Sequence, residues 1–376
     1  MKIACVATGW YPQQPGGLEK YVYGMTHALL RAGDAVDLFV TGQPHLDGER
    51  ARAFSIGTPG DSLLKRMFDA RRTFSTSFRE PYDVINLHFA MNALPLIPFI
   101  RHRTPRVVHF HGPWAAESRA EGGSARSAAV KAALERFVYQ RADSFIVLST
   151  AFKHLLAGYG VDPARINVIP MGIDCDFFQP ANDRRAVREA LNWPMDATIF
   201  FTARRLINRV GLLEFIEAAS RLRDTHPNFS IKIAGKGPLR PELERAIAEF
   251  GLTDVVELLG FVDEGALVSC YQAADVTVLP TQSLEGFGTI ISESLACGTP
   301  VIVTPVGGMP EAVAPLSEDL ITASASAADI AERMDAVLRG TLSLPDHDAC
   351  RAYAVDRFDW DVVYNDIRSV FATTQT

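Results

Sequence analysis

Two carboxylates in a glycine-rich run are the residues best placed to do chemistry. Glu285 opens the stretch Glu285-Gly286-Phe287-Gly288-Thr289-Ile290, and Glu293 follows two helical turns after Glu285. At that spacing both can face the same way from one helix end. The amides of Gly286, Phe287, Gly288, Thr289 and Ile290 then point at whatever anion binds at the helix start. Two carboxylates beside an anion are costly unless they bind hydroxyls, which fits sugar rings.

Three other places combine glycine and charge after an apolar run. In Pro15-Gly16-Gly17-Leu18-Glu19, Gly16 and Gly17 would let the backbone approach an anion at a helix N-terminus, although a plain flexible turn has the same composition. In Phe110-His111-Gly112-Pro113-Trp114 the chain must turn outward, so His111 is a candidate ligand contact. His109, inside the preceding apolar run, reads instead as a buried and satisfied histidine. In Ala203-Arg204-Arg205-Leu206-Ile207-Asn208-Arg209-Val210-Gly211 the clustered guanidiniums suit a diphosphate, with Arg205 and Arg209 as the clamp and solvated surface arginines as the alternative. Lys236, in Gly235-Lys236-Gly237-Pro238, repeats the same logic more weakly.

These places need strands behind them, and the sequence supplies a regular alternation. Strands are predicted over 2–8, 35–40, 83–88, 106–110, 144–148 and 167–169, and again over 197–202, 230–234, 255–259, 275–279 and 300–304. Helical periodicity fills the gaps, as in Leu18, Val22, Met25 and Leu29 ahead of Gly33. Strand and helix in alternation predict parallel sheets covered by helices. The fold class expected is α/β, with two Rossmann-like domains whose parallel sheets face across a ligand-binding cleft. The polar, proline-containing stretch 174–183 breaks the rhythm and places the domains at 1–178 and 179–357. The amphipathic helix 358–376 is expected to pack back on the first domain.

Composition narrows the function. The chain has 376 residues, 48% of them hydrophobic and 22% charged, as in globular enzymes rather than disordered or fibrous chains. Residues 1–176 carry 20 Lys+Arg against 16 Asp+Glu, and residues 177–376 carry 17 against 28. So acidic a second half argues against a nucleic-acid partner. The apolar run 89–100 is broken by Asn92, Pro95 and Pro98, too short and interrupted to span a bilayer. The N-terminus enters a strand pattern directly, so a cytoplasmic start is expected. The five cysteines are far apart and are expected to be reduced and mostly buried. No dinucleotide or P-loop fingerprint occurs, and no His-Cys or paired-Asp spacing predicts a metal. Residues 63–79 place Lys65, Arg66, Arg71, Arg72 and Arg79 among Leu64, Phe68, Phe74 and Phe78. That stretch suits either an anionic membrane surface or a plain covering helix.

Taken in order, Gly16-Gly17, His111, the run 167–174, Arg205-Leu206, Leu259-Gly260-Phe261-Val262 and the block from Glu285 to Glu293 resemble the family-four retaining glycosyltransferases of GT-B fold, with their E-x7-E signature. The likeness covers almost the whole chain. It implies a nucleotide-sugar donor on the second domain and an acceptor on the first. Glu293 would bind ribose hydroxyls, Glu285 would sit beside the donor sugar, and His111 would contact that sugar. Gly17 and the amides after Glu285 would hold diphosphate and sugar hydroxyls, and the backbone at Phe261 and Val262 would read the base. One position departs from the pattern: where the family usually carries a lysine, this chain has Val210, with Arg209 just before it.

The resemblance further implies hexose transfer with retention, no metal or other cofactor, and a saccharide or lipid-linked acceptor in cell-surface polysaccharide or glycolipid synthesis. UDP-glucose is the first donor expected and GDP-mannose the second. A nucleotide-sugar epimerase or hydrolase of the same fold, or a non-catalytic nucleotide-sugar binding module, remain as alternatives. Peripheral contact with the inner face of the membrane is a further expectation.

Overall fold

The computed structural model describes residues 1–14, 16–78, 81–100, 104–120 and 122–374. Pro15 and Arg79, named above, lie outside them, as do residues 375–376. The chain forms two units, Met1–Gly172 with Trp360–Thr376, and Ile173–Asp359.

In the first unit, apolar runs form β1 (Lys2–Val6), β2 (Ala35–Val40), β3 (Ala51–Ser55), β4 (Val84–Leu87), β5 (Arg106–Phe110), β6 (Ser144–Val147) and β7 (Ile166–Val168). They build one parallel sheet in the order β3-β2-β1-β4-β5-β6-β7. Strands buried on both faces read as continuous apolar runs, which is why β1, β4, β5 and β6 were visible in the sequence. β3 was not. It lies at the sheet edge with half-buried and exposed residues, so Ala51–Ser55 carries no such run. Phe39, Phe74, Ile85, Phe110, Phe145 and Leu156 belong to one core cluster on this sheet.

The second unit contains β8 (Thr198–Ala203), β9 (Phe229–Ala234), β10 (Val256–Gly260), β11 (Val276–Leu279) and β12 (Val301–Val303), parallel in the order β10-β9-β8-β11-β12. Its core joins Phe200, Phe215, Ile216, Ile231, Leu243, Val278 and Ile330.

In each sheet the order reverses at one strand pair. β1 lies between β2 and β4, and β8 lies between β9 and β11. At such a pair the connections leave toward opposite faces and open a crevice beyond the carboxyl ends of the strands. The loops after β1 and β4, and those after β8 and β11, are therefore where each unit can bind something.

The C-terminal element differs from expectation at its start. The helix His347–Phe358 ends at Phe358 inside the second unit, Asp359 intervenes, and a separate helix Trp360–Thr373 packs in the first. Phe358 is accordingly a core residue of the second unit, stacked edge-on to Phe287 at 5.3 Å between ring centroids. Trp360 fits a socket on the first unit made by two glycines: a Cβ on Gly24 would lie 2.2 Å, and on Gly172 2.3 Å, from its indole. Tyr364 closes the docking by donating to Asp34 Oδ2 at 3.0 Å.

Candidate functional site

In the second unit the loop after β11 carries Glu285 to the start of the helix Thr289–Ala296. That helix begins at Gly288 with no side-chain cap, and the positive end of its dipole lies at this start. Glu293 lies in the same helix, 3% exposed, and accepts a 2.7 Å hydrogen bond from the Tyr271 hydroxyl. Burial, and then the Glu293 charge, hold the Tyr271 phenol well above its ordinary pKa, so it stays a donor throughout the neutral range.

Glu285 is held by a partner that the sequence analysis did not single out. Arg204, the first residue after β8, places Nη2 2.5 Å from Glu285 Oε2, and both side chains are largely buried. Arg205 is exposed. Arg209, expected at a phosphate, donates from Nη1 to the Leu284 carbonyl at 3.0 Å and so braces the loop carrying Glu285. Val210, at the departing position, is a core residue, 2% exposed.

Backbone contacts fix this loop closely. Gly211 at φ +76 passes so near Pro280 that a Cβ would lie 1.8 Å from its carbonyl oxygen. Gly307 at φ +61 does the same to the Glu285 carbonyl, and the Gly308 amide donates to that oxygen at 3.0 Å. Leu284, just before Glu285, adopts φ +57, a left-handed conformation that costs a non-glycine residue on the order of 1 kcal/mol. Strain of this kind, held in place by Arg209 and Gly308, marks a position where geometry matters more than local comfort.

The other predicted residues of this unit fall around the same strand ends. Lys236 and Phe261 are exposed, with the Lys236 ammonium 4.9 Å from the centre of the Phe261 ring. Val262 is half-buried beside them. Gly286, Phe287, Gly288 and Ile290 are buried and Thr289 is half-buried, so the Phe287 and Ile290 side chains serve packing while their backbone belongs to the helix start.

In the first unit, Gly16 and Gly17 begin the helix Gly17–Arg31 after β1, as expected. This helix start already has a carboxylate. Glu19 stands in the first turn, where an acidic group complements the helix dipole, and takes a 2.7 Å hydrogen bond from the Thr8 hydroxyl.

His111 follows β5 and is half-buried. Its Nε2 lies 3.0 Å from His88 Nδ1, and His88 Nε2 lies 3.0 Å from Asn86 Nδ2. Tyr21 meets His109 Nδ1 through its hydroxyl at 3.1 Å and lies edge-on to His111 at 4.9 Å. Burial drives His111 down to about 3, and burial followed by repulsion from neighbouring imidazoles drives His88 and His109 well below the usual range. All three are neutral at physiological pH.

His109 corrects one expectation: it is buried but not satisfied, because its Nε2 has no partner among the described residues. The three histidines could hold a metal ion, with one nitrogen from each within 4.8 Å of the others. Contiguous spacing could not show this trio, since His88 stands on a different strand end. Glu135 was also missed. Only 1% exposed, it accepts from the Trp114 amide at 2.9 Å and the Ala115 amide at 3.4 Å, and so anchors the turn after His111. All five cysteines are buried and unpaired, as expected.

Residues 15–177 match the Glycosyltransferase Family 4 and residues 183–356 match the Glycosyl transferases group 1. A D-inositol 3-phosphate glycosyltransferase from Acidothermus cellulolyticus is 30% identical over 95% of this chain and 85% of that protein. The D-inositol 3-phosphate glycosyltransferase 2 of Catenulispora acidiphila is 28% identical over 92% and 87%. Among solved structures, sucrose-phosphate synthase from Thermosynechococcus elongatus superimposes with a TM-score of 0.83 at 21% identity, covering 99% of this chain and 98% of that one. Anabaena HepE in complex with UDP-glucose gives 0.77 at 20% identity, over 99% and 100%. With both sheets, the paired carboxylates and these matches in agreement, the chain belongs to the family 4 glycosyltransferases of GT-B fold.

Proposed function

We propose that this glycosyltransferase moves a hexose from a nucleotide diphosphate sugar to an acceptor hydroxyl with retention at C1 and without a metal. The observation that carries the reading is the second unit's pair of carboxylates. Glu285 is ion-paired to Arg204 in a strained, glycine-clasped loop, and Glu293 is held by Tyr271 beneath the uncapped start of the same helix. A nearly buried carboxylate fixed by one hydroxyl is suited to take others, here those of a ribose.

In the proposed reaction the C1–phosphate bond breaks as the acceptor oxygen bonds C1 from the same face. The leaving diphosphate takes the acceptor proton. Its growing charge is met by the positive end of the helix Thr289–Ala296 and by the cations Arg205 and Lys236. Arg209 contributes by bracing the loop, and the base is read near Phe261 and Val262. In the first unit, His111 and the helix start at Gly16 and Gly17 offer contacts to sugar hydroxyls and to the acceptor.

UDP-glucose is the favoured donor and GDP-mannose the second; a structural neighbour holding UDP-glucose supports the first choice. For the acceptor, a saccharide or lipid-linked hydroxyl in cell-surface polysaccharide or glycolipid synthesis stands beside a phosphorylated polyol. The second is favoured by relatives named D-inositol 3-phosphate glycosyltransferases.

No helix among the described residues is long and apolar enough to cross a membrane. The helix Leu63–Ser77 exposes Leu64 by 81% and Phe68 by 68%, with Lys65, Arg71 and Arg72 exposed on the same helix. We include in the proposal that this helix lies on an anionic membrane at its cytoplasmic face.

Calorimetric titration with UDP, GDP, UDP-glucose and GDP-mannose in EDTA, repeated on Glu293→Ala, tests the reading. Binding of one nucleotide that weakens at least tenfold in the variant is expected. Absence of binding to all four would overturn it.

A further inference from the structure

Three imidazoles of the first unit converge from separate positions: His88 directly after β4, His109 inside β5 and His111 directly after it. One nitrogen from each lies within 4.8 Å of the other two, and His88 Nδ1 is only 3.0 Å from His111 Nε2. Around this trio two buried polar atoms, His109 Nε2 and Asn86 Oδ1, lack a partner among the described residues. No choice of tautomer repairs the first. Tyr21 already occupies His109 Nδ1, so Nε2 is left over whether it carries a proton or a lone pair.

Turning the Asn86 amide, whose oxygen and nitrogen are exchangeable in position, does not remove the second deficit but reverses the bond to His88. Oδ1 would then accept from His88 Nε2–H, leaving Nδ1 of His88 as a lone pair aimed at His111. A cation bound by the lone pairs of the three nitrogens gives His109 Nε2 the partner it lacks.

We propose that His88 Nδ1, His109 Nε2 and His111 Nε2 form a three-histidine site for a borderline divalent transition ion such as Zn²⁺ or Co²⁺. Neutral imidazoles without a carboxylate suit these ions and not Mg²⁺ or Ca²⁺, which require oxygen ligands. The outer shell is already in place, with Tyr21 on the far nitrogen of His109 and Asn86 on that of His88, the arrangement that orients metal-bound histidines. Bonds of about 2.0–2.1 Å put the nitrogens of a tetrahedral site about 3.3 Å apart. The 3.0 Å pair is near this value, and small rotations of the side chains bring the others, all within 4.8 Å, to it. Water fills the fourth position. The ion is not a participant in transfer and takes only Nε2 of His111, which leaves the other ring nitrogen for a sugar hydroxyl. The inference stands apart from the proposed transferase chemistry, because its test reads metal binding directly.

The test is a Co²⁺ titration of the full chain after EDTA treatment and desalting, followed by the visible bands of four-coordinate cobalt. One equivalent is expected to saturate the bands, Zn²⁺ to bleach them, and Tyr21→Phe to weaken affinity about 10–100-fold. His109→Ala removes a buried side chain and can disturb folding, so the half-buried His111→Ala, checked by its melting curve, is the second variant, and it is expected to abolish the bands. Absence of bands at stoichiometric Co²⁺ would overturn the proposal. So would bands that survive in His111→Ala, which would place the ion elsewhere.

Discussion

Replacing Tyr271 with Phe isolates one hydroxyl. The ring is fully buried, 5.3 Å from Phe201 and 6.4 Å from Phe178 between centroids, and phenylalanine keeps those contacts. What disappears is the 2.7 Å donation to Glu293, a carboxylate only 3% exposed. A hydrogen bond to a charged group contributes about 1.5–3 kcal/mol, and the phenylalanine ring has no donor to replace it. For a folding unit of this size each kcal/mol moves the midpoint by roughly 2–4 °C, so the second unit should melt about 3–12 °C lower.

Calorimetric melts and urea denaturation of the single variants Tyr271→Phe and Glu293→Gln, and of the double variant, provide the assay. If the hydroxyl acts through Glu293, the double variant loses far less than the sum of the singles, a coupling above about 1 kcal/mol. Nucleotide affinity should weaken along the same route, about tenfold for each 1.4 kcal/mol of lost carboxylate positioning. A Tyr271→Phe protein within about 0.5 kcal/mol of the parent, or strictly additive singles, would refute the reasoning.

Acid should destabilise the first unit. Its buried histidines stay neutral while the unfolded chain takes up protons below about pH 6.5, so stability falls as pH drops, and His111 continues to contribute until about pH 3. His88 and His109 alone give at most about 2.7 kcal/mol per pH unit, which urea melts from pH 7 to pH 4 would read as a falling midpoint. Gly24→Ala sets a methyl 2.2 Å from the Trp360 indole. Overpacking of about 1–3 kcal/mol should outweigh a helix-propensity gain of up to about 1, and hydrogen exchange along Trp360–Thr373 should rise. Arg204→Ala leaves Glu285 without its ion-pair partner and should destabilise the second unit by about 3–5 kcal/mol, measured by urea denaturation. Leu64→Ser with Phe68→Ser should leave the melting curve unchanged, because both side chains are mostly exposed, while lowering sedimentation with phosphatidylglycerol vesicles at least tenfold.

How much of this was legible in the sequence depended on whether the partners share one element. Glu285 and Glu293 could be read together because one loop and one helix carry both, and the apolar strands declared themselves because parallel strands are buried on both faces. Arg204 could not be separated from Arg205. Which guanidinium turns toward Glu285 is settled by how the chain leaves β8, and the two residues meet only because β8 and β11 are neighbours in the sheet. His88 has the same history. β4 pairs with β5 in a register that sets Leu87 against Val108, so the next residues along, His88 and His109, come together across the ladder. Neither pairing follows from spacing, because strand order is a property of the folded sheet. The edge strand β3 and the anchoring Glu135 were lost for a related reason: one lacks an apolar run, and the other is a lone acid on a helix until the sheet brings Trp114 to it. Once the order is known, however, the two reversals in strand order predict where such partners gather. The residues that the sequence alone left unpaired, His88 and Arg204, both stand directly after strands that take part in those reversals.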